Sequence, residues 1–319
     1  ISITIFFPGI LLFLVNILIF ACETPEKAYI NINIINISSF GGASSSESSE
    51  PAMEFRGIQL IVFIAVSISC GYSTDLLRII NGKSAMLGRY PHQVSIQRMN
   101  WHTCGGSIID EIHILTAAHC VVSNNYNVDL KGLRVVTGVI DRAQSNFTNT
   151  FRVSMVYYHR YFRPQPPAND IAILKLSRQI PFNDYQRPIK LPTQNTQSRV
   201  EVTVTGWGRG YHDNRRRKQM RYLQKLNMIT VSLRVCQYIY GRVITPRQLC
   251  AKGAPGSGMC IGDSGGPLTH NDEIVGIASW VEIGDGLPCA KASPDVFTRV
   301  YAYLPWINDV LSLSHQKSR

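Results

Sequence analysis

The run Gly258-Met-Cys-Ile-Gly-Asp-Ser-Gly-Gly-Pro267 constrains this chain more than any other stretch. A serine set between glycines at a sharp turn is a hydroxyl held up for attack. Serine is a poor nucleophile alone. It needs a base to take its proton and donors to hold the oxyanion that forms. The glycines let backbone N–H groups face that oxyanion with no Cβ in the way. A bare Gly-Asp-Ser-Gly fits an incidental turn as well. The longer Gly262-Asp-Ser-Gly-Gly-Pro267, preceded by Cys260, does not, so the rest of the chain is to be searched for the partners of Ser264.

The 319 residues suffice for one large or two ordinary domains, and 45 % are apolar, enough for a sizeable core. The N-terminal region is unlike the rest. Ile1–Cys22 is almost wholly apolar, and residues 23–52 are rich in Ile, Asn and Ser, with a Ser/Glu/Gly tract at 41–50 that reads as disordered. The first methionine, Met53, is followed by Glu54-Phe-Arg56, the apolar run Ile58–Ile68 and the small-residue pattern Ser67-x-Ser69. That order is a secretory signal peptide over 53–69. The expectation is therefore that translation starts at Met53, that 1–52 is upstream sequence read in frame, and that the product is secreted. The alternative is a membrane anchor at residues 1–22. Eight cysteines behind hydrophobic N-terminal segments agree with an oxidising compartment.

The net charge is +11, and from Ile79 onward 29 Lys and Arg stand against 15 Asp and Glu. The run Arg215-Arg-Arg-Lys218 would suit an acidic surface, but it also reads as a solvated loop open to tryptic nicking. No nucleic-acid module accompanies it, so no nucleic-acid partner is expected.

Along the chain, Asp75-Leu-Leu-Arg78 precedes Ile79-Ile-Asn-Gly82, which makes sense if a cut after Arg78 frees an amine on Ile79. Residues 70–78 would then be an activation propeptide and 79–319 the functional domain. Val94–Gln97, Ser107–Ile109, Leu133–Thr137, Glu201–Thr205, Glu273–Trp280 and Asp295–Val300 read as short strands separated by turn residues, which suggests an antiparallel barrel or sandwich. Tyr303–Leu313 places Leu304, Ile307 and Leu311 on one helical face, with Pro305 near its start, as a single closing helix. In Thr116-Ala-Ala-His119-Cys120, a bridge from Cys120 to Cys104 would fix the turn that carries His119. Asp170 opens the apolar run Ile171–Leu176. A carboxylate there is unfavourable without a partner, and an acid that orients a histidine belongs at such a place.

These segments, with Gly206-Trp-Gly208 and Ser279-Trp280, occur in an order that resembles the chymotrypsin family of serine endopeptidases from about Arg78 to Leu313. The resemblance implies an all-β fold of two six-stranded antiparallel Greek-key barrels with a C-terminal α-helix. It implies His119 as general base and acid, Asp170 as its orienting partner and Ser264 as nucleophile, in the chain order of this family. The N–H groups of Gly262 and Ser264 would form the oxyanion hole, and the freed Ile79 ammonium would pair with Asp263. Spacing cannot choose among the 15 pairings of six cysteines. The family pattern implies Cys104–Cys120, Cys236–Cys250 and Cys260–Cys289, leaving Cys22 and Cys70 over.

Tryptic members carry an Asp six residues before the nucleophile, where this chain has Gly258. The pocket, which also takes in Ser279, Trp280, Val281 and Asp295, is thus expected to be chymotrypsin-like or broad. Val281 points alternatively to elastase-like choice, and Asp295 on the back wall to Arg or Lys. No cofactor is expected. Nor is a calcium site, since Asp141 is the only acid between Gly138 and Thr150. Asn146-Phe-Thr148 is a glycosylation pattern. Expected partners are peptide substrates, an activating tryptic protease and protein inhibitors, with the enzyme a monomer away from membranes. A different class of function, a catalytically silent binding protein, is disfavoured because all three catalytic residues are present.

Overall fold

Short segments of Val, Ile and Leu closed by Gly, Asn or Asp are too brief for stable helices, and they pair as strands instead. The computed structural model describes residues 82–210, 218–282, 289 and 292–316. Arg78, Ile79, the three proposed N-terminal segments, Arg215–Arg217 and most of the loop after Glu282 lie outside the described residues.

Strands β1 (Gln93–Arg98), β2 (Trp101–Ile108), β3 (His113–Thr116), β4 (Leu133–Val136), β5 (Thr150–Tyr158) and β6 (Ala172–Leu176) close a barrel in the order β1-β2-β3-β6-β5-β4. The second barrel holds β7 (Glu201–Gly206), β8 (Gln224–Val231), β9 (Gln248–Lys252), β10 (Pro267–His270), β11 (Glu273–Trp280) and β12 (Asp295–Arg299). It runs β8-β7-β10-β11-β12-β9, and the pairing of β8 with β9 closes it. A short strand, Lys83–Ser84, adds to the edge of β8. Numbered from its own first strand, each barrel has the same circular order. Each also has a two-residue hairpin with positive φ at both turn positions, Met99-Asn100 between β1 and β2 and Asn271-Asp272 between β10 and β11. Such turns match the twist of the paired strands.

Each barrel is filled by its own side chains. Val94, Ile96, Ile114, Phe151 and Leu174 occupy the first, and Val204, Leu249, Leu268 and Phe297 the second. A third apolar cluster spans both. It joins Leu115, Ile171 and Ile173 of the first barrel to Ile274 and Ile277 of the second, and it is sealed by Ile307 and Val310. Burying each such side chain contributes about 1.5–3 kcal/mol, so this cluster fixes one barrel against the other.

The closing helix, α2, spans Leu304–Gln316, with Pro305 in its first turn. It is not the sole helix. Helix α1 (Leu233–Tyr240) follows β8, capped by the Ser232 hydroxyl, which accepts from Val235 N, and ended by Gly241 at φ 76°. Cys236 is its one buried residue, so no clean apolar stripe advertises it in the sequence. The β12 strand ends at Arg299, one residue short of the expected Val300, because the chain there turns into a 3-10 helix.

Candidate active site

The register of β3 against β6, which runs from His113 opposite Lys175 to Thr116 opposite Ala172, brings the ends of both strands together. The residues just beyond them meet there. His119 lies in the short 3-10 turn Ala118–Cys120, tied to β2 by the Cys104–Cys120 bridge. Asp170, only 2 % exposed, accepts two hydrogen bonds from His119, one from its backbone N at 2.9 Å and one from its ring Nδ1 at 2.7 Å. The Ser279 hydroxyl donates to the same carboxylate at 2.6 Å. Thr298 Oγ1 donates to the Asp170 carbonyl at 2.7 Å. Burial pushes the Asp170 carboxyl up, but the His119 charge and these donors outweigh it, so it is held below the usual carboxylate range. Burial likewise opposes protonation of His119, and the Asp170 charge and bond override it, so the imidazole is shifted upward. An ionised acid therefore fixes the ring with Nδ1 as the donor, and leaves Nε2 as the acceptor, 3.9 Å from Cys120 Sγ.

Ser264 arrives from the other barrel, in the turn that precedes β10. Its carbonyl accepts from Gly105 N of β2 at 2.8 Å, and Gly265 N donates to Ala278 O at 2.7 Å. Gly265 sits at φ 75°, and a Cβ there would lie 2.7 Å from Gly105 O. Glycine is thus required both by conformation and by space. The N–H groups of Asp263, Gly265 and Gly266 are all taken by carbonyls. Those of Gly262 and Ser264 donate to no described residue.

Three features of this turn were not foreseen. Both glycines of Gly206-Trp-Gly208 face Asp263, where a Cβ on either would overlap the carboxylate. Gly208 N and Cys260 N donate to its two oxygens at 2.8 and 2.9 Å. Asp263 is fully buried with no ion pair among the described residues, and burial, countered by those N–H groups, pushes its carboxyl up to about 6. His102 Nε2 donates to Gly262 O at 2.9 Å, which leaves Nδ1 to accept from Ser95 Oγ at 2.8 Å. Burial lowers the His102 pKa to about 4, so the ring is neutral at pH 7 and anchors the Gly262 carbonyl. A lone His lying 160 positions from its partner leaves no local sequence signal.

At the pocket positions, Gly258 is buried and its neighbour Met259 N donates to Asp295 Oδ2 at 2.6 Å. Trp280 meets Tyr240 edge-on with ring centroids 4.9 Å apart. Val281 packs against the second-barrel cluster that includes Met259 and Ala278. The bridges Cys236–Cys250 and Cys260–Cys289 are present as expected. Asn146 is exposed in a turn closed by its own side chain, which accepts from Thr148 and Asn149 N–H groups. Among the described residues, two clusters have metal-ligand residue types. In the first, Cys104 and Cys120 are bridged to each other. In the second, Asp110 and Ser314 already engage both ring nitrogens of His113.

Two like barrels with a buried acid–histidine pair on one and a glycine-flanked serine on the other define a serine-type endopeptidase. The model of the family described as Trypsin matches residues 79–307, and the chain belongs to that family. It is 34 % identical over 235 residues to "Serine protease SP24D" of Anopheles gambiae, covering 73 % of this chain and 81 % of that protein. It is 34 % identical over 231 residues to "Chymotrypsin-2" of Vespa crabro and 36 % over 242 residues to "Trypsin-1" of Astacus astacus. Each match covers 72 % of this chain and 98 % of the relative. Among the described residues no helix is long and apolar enough to cross a membrane.

Proposed function

We propose that the chain is a secreted serine endopeptidase, made as a zymogen and working through Ser264, His119 and Asp170. The carrying observation is the two-point grip of buried Asp170 on His119, set beside a Ser264 turn whose Gly262 and Ser264 N–H groups have no acceptor among the described residues. Ser264 Oγ attacks the scissile carbonyl carbon while its proton passes to His119 Nε2. Asp170 holds the imidazolium, and the N–H groups of Gly262 and Ser264 hold the oxyanion. His119 then gives the proton to the leaving amine, and water, deprotonated by the same ring, hydrolyses the acyl-enzyme.

Activation follows from Asp263. A buried carboxylate pushed up to about 6 is poised for a cation. A cut after Arg78 by a tryptic protease supplies one as the Ile79 ammonium, and the pair orders the oxyanion hole. Residues 53–69 serve as signal peptide and 70–78 as propeptide. The enzyme acts as a monomer on peptide substrates and is held in check by protein inhibitors.

The pocket of Gly258, Ser279, Trp280, Val281 and Asp295 takes Phe, Tyr or Leu, or a broader set. Relatives bearing chymotrypsin and trypsin names match about equally well, so the choice between specificities lies with these residues. A second reading, Arg or Lys specificity, is favoured by the Asp295 carboxylate lying on Met259 N next to Gly258.

The test is to cut the purified chain after Arg78 and assay peptides with Phe, Leu, Ala or Arg before the scissile bond, alongside a fluorophosphonate that labels activated serines. Labelling on Ser264 with turnover of Phe or Leu peptides is expected, both lost in Ser264→Ala. A chain with Ile79 confirmed as its N-terminus that neither labels nor cleaves would refute the reading.

A further inference from the structure

A cleft of about 430 Å³ is lined by Tyr126, Arg160, Tyr161, Phe162, Arg163 and Asn169. Its floor is built. Asn169, at φ 49°, donates through Nδ2 to Tyr161 O at 2.8 Å, and its Oδ1 accepts from Tyr303 OH at 3.1 Å and from Arg247 Nη1 at 3.3 Å. The next residue in the chain is Asp170, so the floor of the cleft is joined covalently to the acid of the pair.

Its chemistry is one-sided. Arg160 and Arg163 are exposed, and among the described residues neither meets a carboxylate. The Arg160 guanidinium lies over the Tyr161 ring, 4.5 Å from its centroid, which orients it. Tyr126 and Phe162 face each other with centroids 6.5 Å apart. No Asp or Glu is among the lining residues. Nearby His159 has its pKa lowered by burial and then by Arg247 and Arg160, so both guanidinium groups act on one locality.

We propose that this cleft is an exosite for the carboxylate of an Asp or Glu in the polypeptide substrate, close to the scissile bond. Because Asn169 is bonded to Asp170, the substrate positions to search are the nearest ones on either side of the scissile bond, each about 3.3 Å further along an extended chain. The volume suits a side chain with its flanking backbone, not a long polymer. The assignment rests on the catalytic reading of Ser264, His119 and Asp170.

The experiment compares peptides identical at the cleaved bond and carrying either Glu or Gln at each of four positions on both sides. At low salt the Glu peptide should lead its Gln partner by about fivefold in kcat/KM at one or two adjacent positions, the scale of a partly exposed ion pair doubled. The lead should shrink at 0.5 M NaCl, a concentration chosen to bring the Debye length to about 4 Å. Arg160→Gln with Arg163→Gln should abolish it. Equal turnover at every position would overturn the proposal while leaving the endopeptidase reading intact. Failure to cleave either peptide and to label Ser264 would instead strike the catalytic reading. A lead that survives the double variant would overturn the cleft proposal too. So would a sulfated oligosaccharide bound through these arginines with no Glu preference, since that assigns the cleft to a polyanion.

Discussion

Raising the pH from 6 to 8 should change which bonds the enzyme prefers, through one carboxyl group. Asp295 is 5 % exposed. Burial pushes its pKa up to about 7, the Met259 N–H pulls it back, and the Asp263 charge adds to the rise. The other titratable group facing it is the Tyr240 phenol, pushed up to about 12 and so neutral throughout this range. With a pKa of about 7, roughly one group in eleven is ionised at pH 6 and roughly ten in eleven at pH 8. If the carboxylate receives Arg, the ratio of kcat/KM for an Arg peptide over a Phe peptide rises about tenfold across that interval. Titration of His119 affects both substrates alike and cancels in the ratio. Asp295→Asn keeps an acceptor for Met259 N and should flatten the ratio. A ratio independent of pH in the natural chain, or a slope that persists in the variant, would refute the reasoning. The same shift has a stability signature. The folded carboxyl, at about 7, lies above the unfolded value of 3.8. Its destabilisation is therefore absent below pH 4, grows between 4 and 7, and is complete above 7, at about 4 kcal/mol. Urea unfolding should find Asp295→Asn more stable than the natural chain at pH 8, by up to that amount, and equal to it at pH 4.

Three further outcomes follow from the site. Because the His119 pKa is raised, the acid limb of the kcat/KM profile should lie above pH 6.5. Asp170→Asn should move that limb down and lower kcat by about 10⁴-fold, the loss seen in other Ser-His-Asp enzymes. Ser279→Ala removes a buried bond to an ionised acceptor, so chemical denaturation should show a loss of about 1.5–3 kcal/mol. Replacing Cys104 and Cys120 by Ser opens a loop whose ends are 16 positions apart in sequence, for a loss of about 3 kcal/mol of stability by the same assay.

Where the chemistry demands a fixed local pattern, the sequence was readable. The turn at Ser264 needs Gly265 at positive φ against Gly105 O, and Asp170 sits buried at the mouth of an apolar strand, so both positions stand out in one dimension. Strands such as Glu273–Trp280 were legible for a similar reason, since turn residues bound them. The parts that escaped depend on distance. Gly206 and Gly208 look like turn glycines until Asp263 is folded between them. The Gln97–Ser95–His102 chain that ends on Gly262 O joins elements from both barrels. The Arg160–Arg163 cleft takes five of its six lining residues from one connection, residues 160–169, and the sixth, Tyr126, from another loop, a meeting that sequence spacing does not announce. Helix α1 was missed for another reason. It rests on a cap and one disulfide-bonded Cys236, with Val235, Tyr238 and Ile239 left in solvent.

The like strand order of the two barrels has a consequence in time as well as in space. His119 and Asp170 belong to the first barrel, whose last strand ends at Leu176, whereas Ser264 waits near the end of the second. Domains tend to fold in the order in which the ribosome delivers them. On the proposed mechanism the growing chain therefore finishes an acid–base unit that has nothing to activate, and the hydroxyl it would serve emerges nearly ninety residues later, counted from Leu176. By the same mechanism, a half-made molecule lacks the nucleophile with which it could cut its own synthesis machinery.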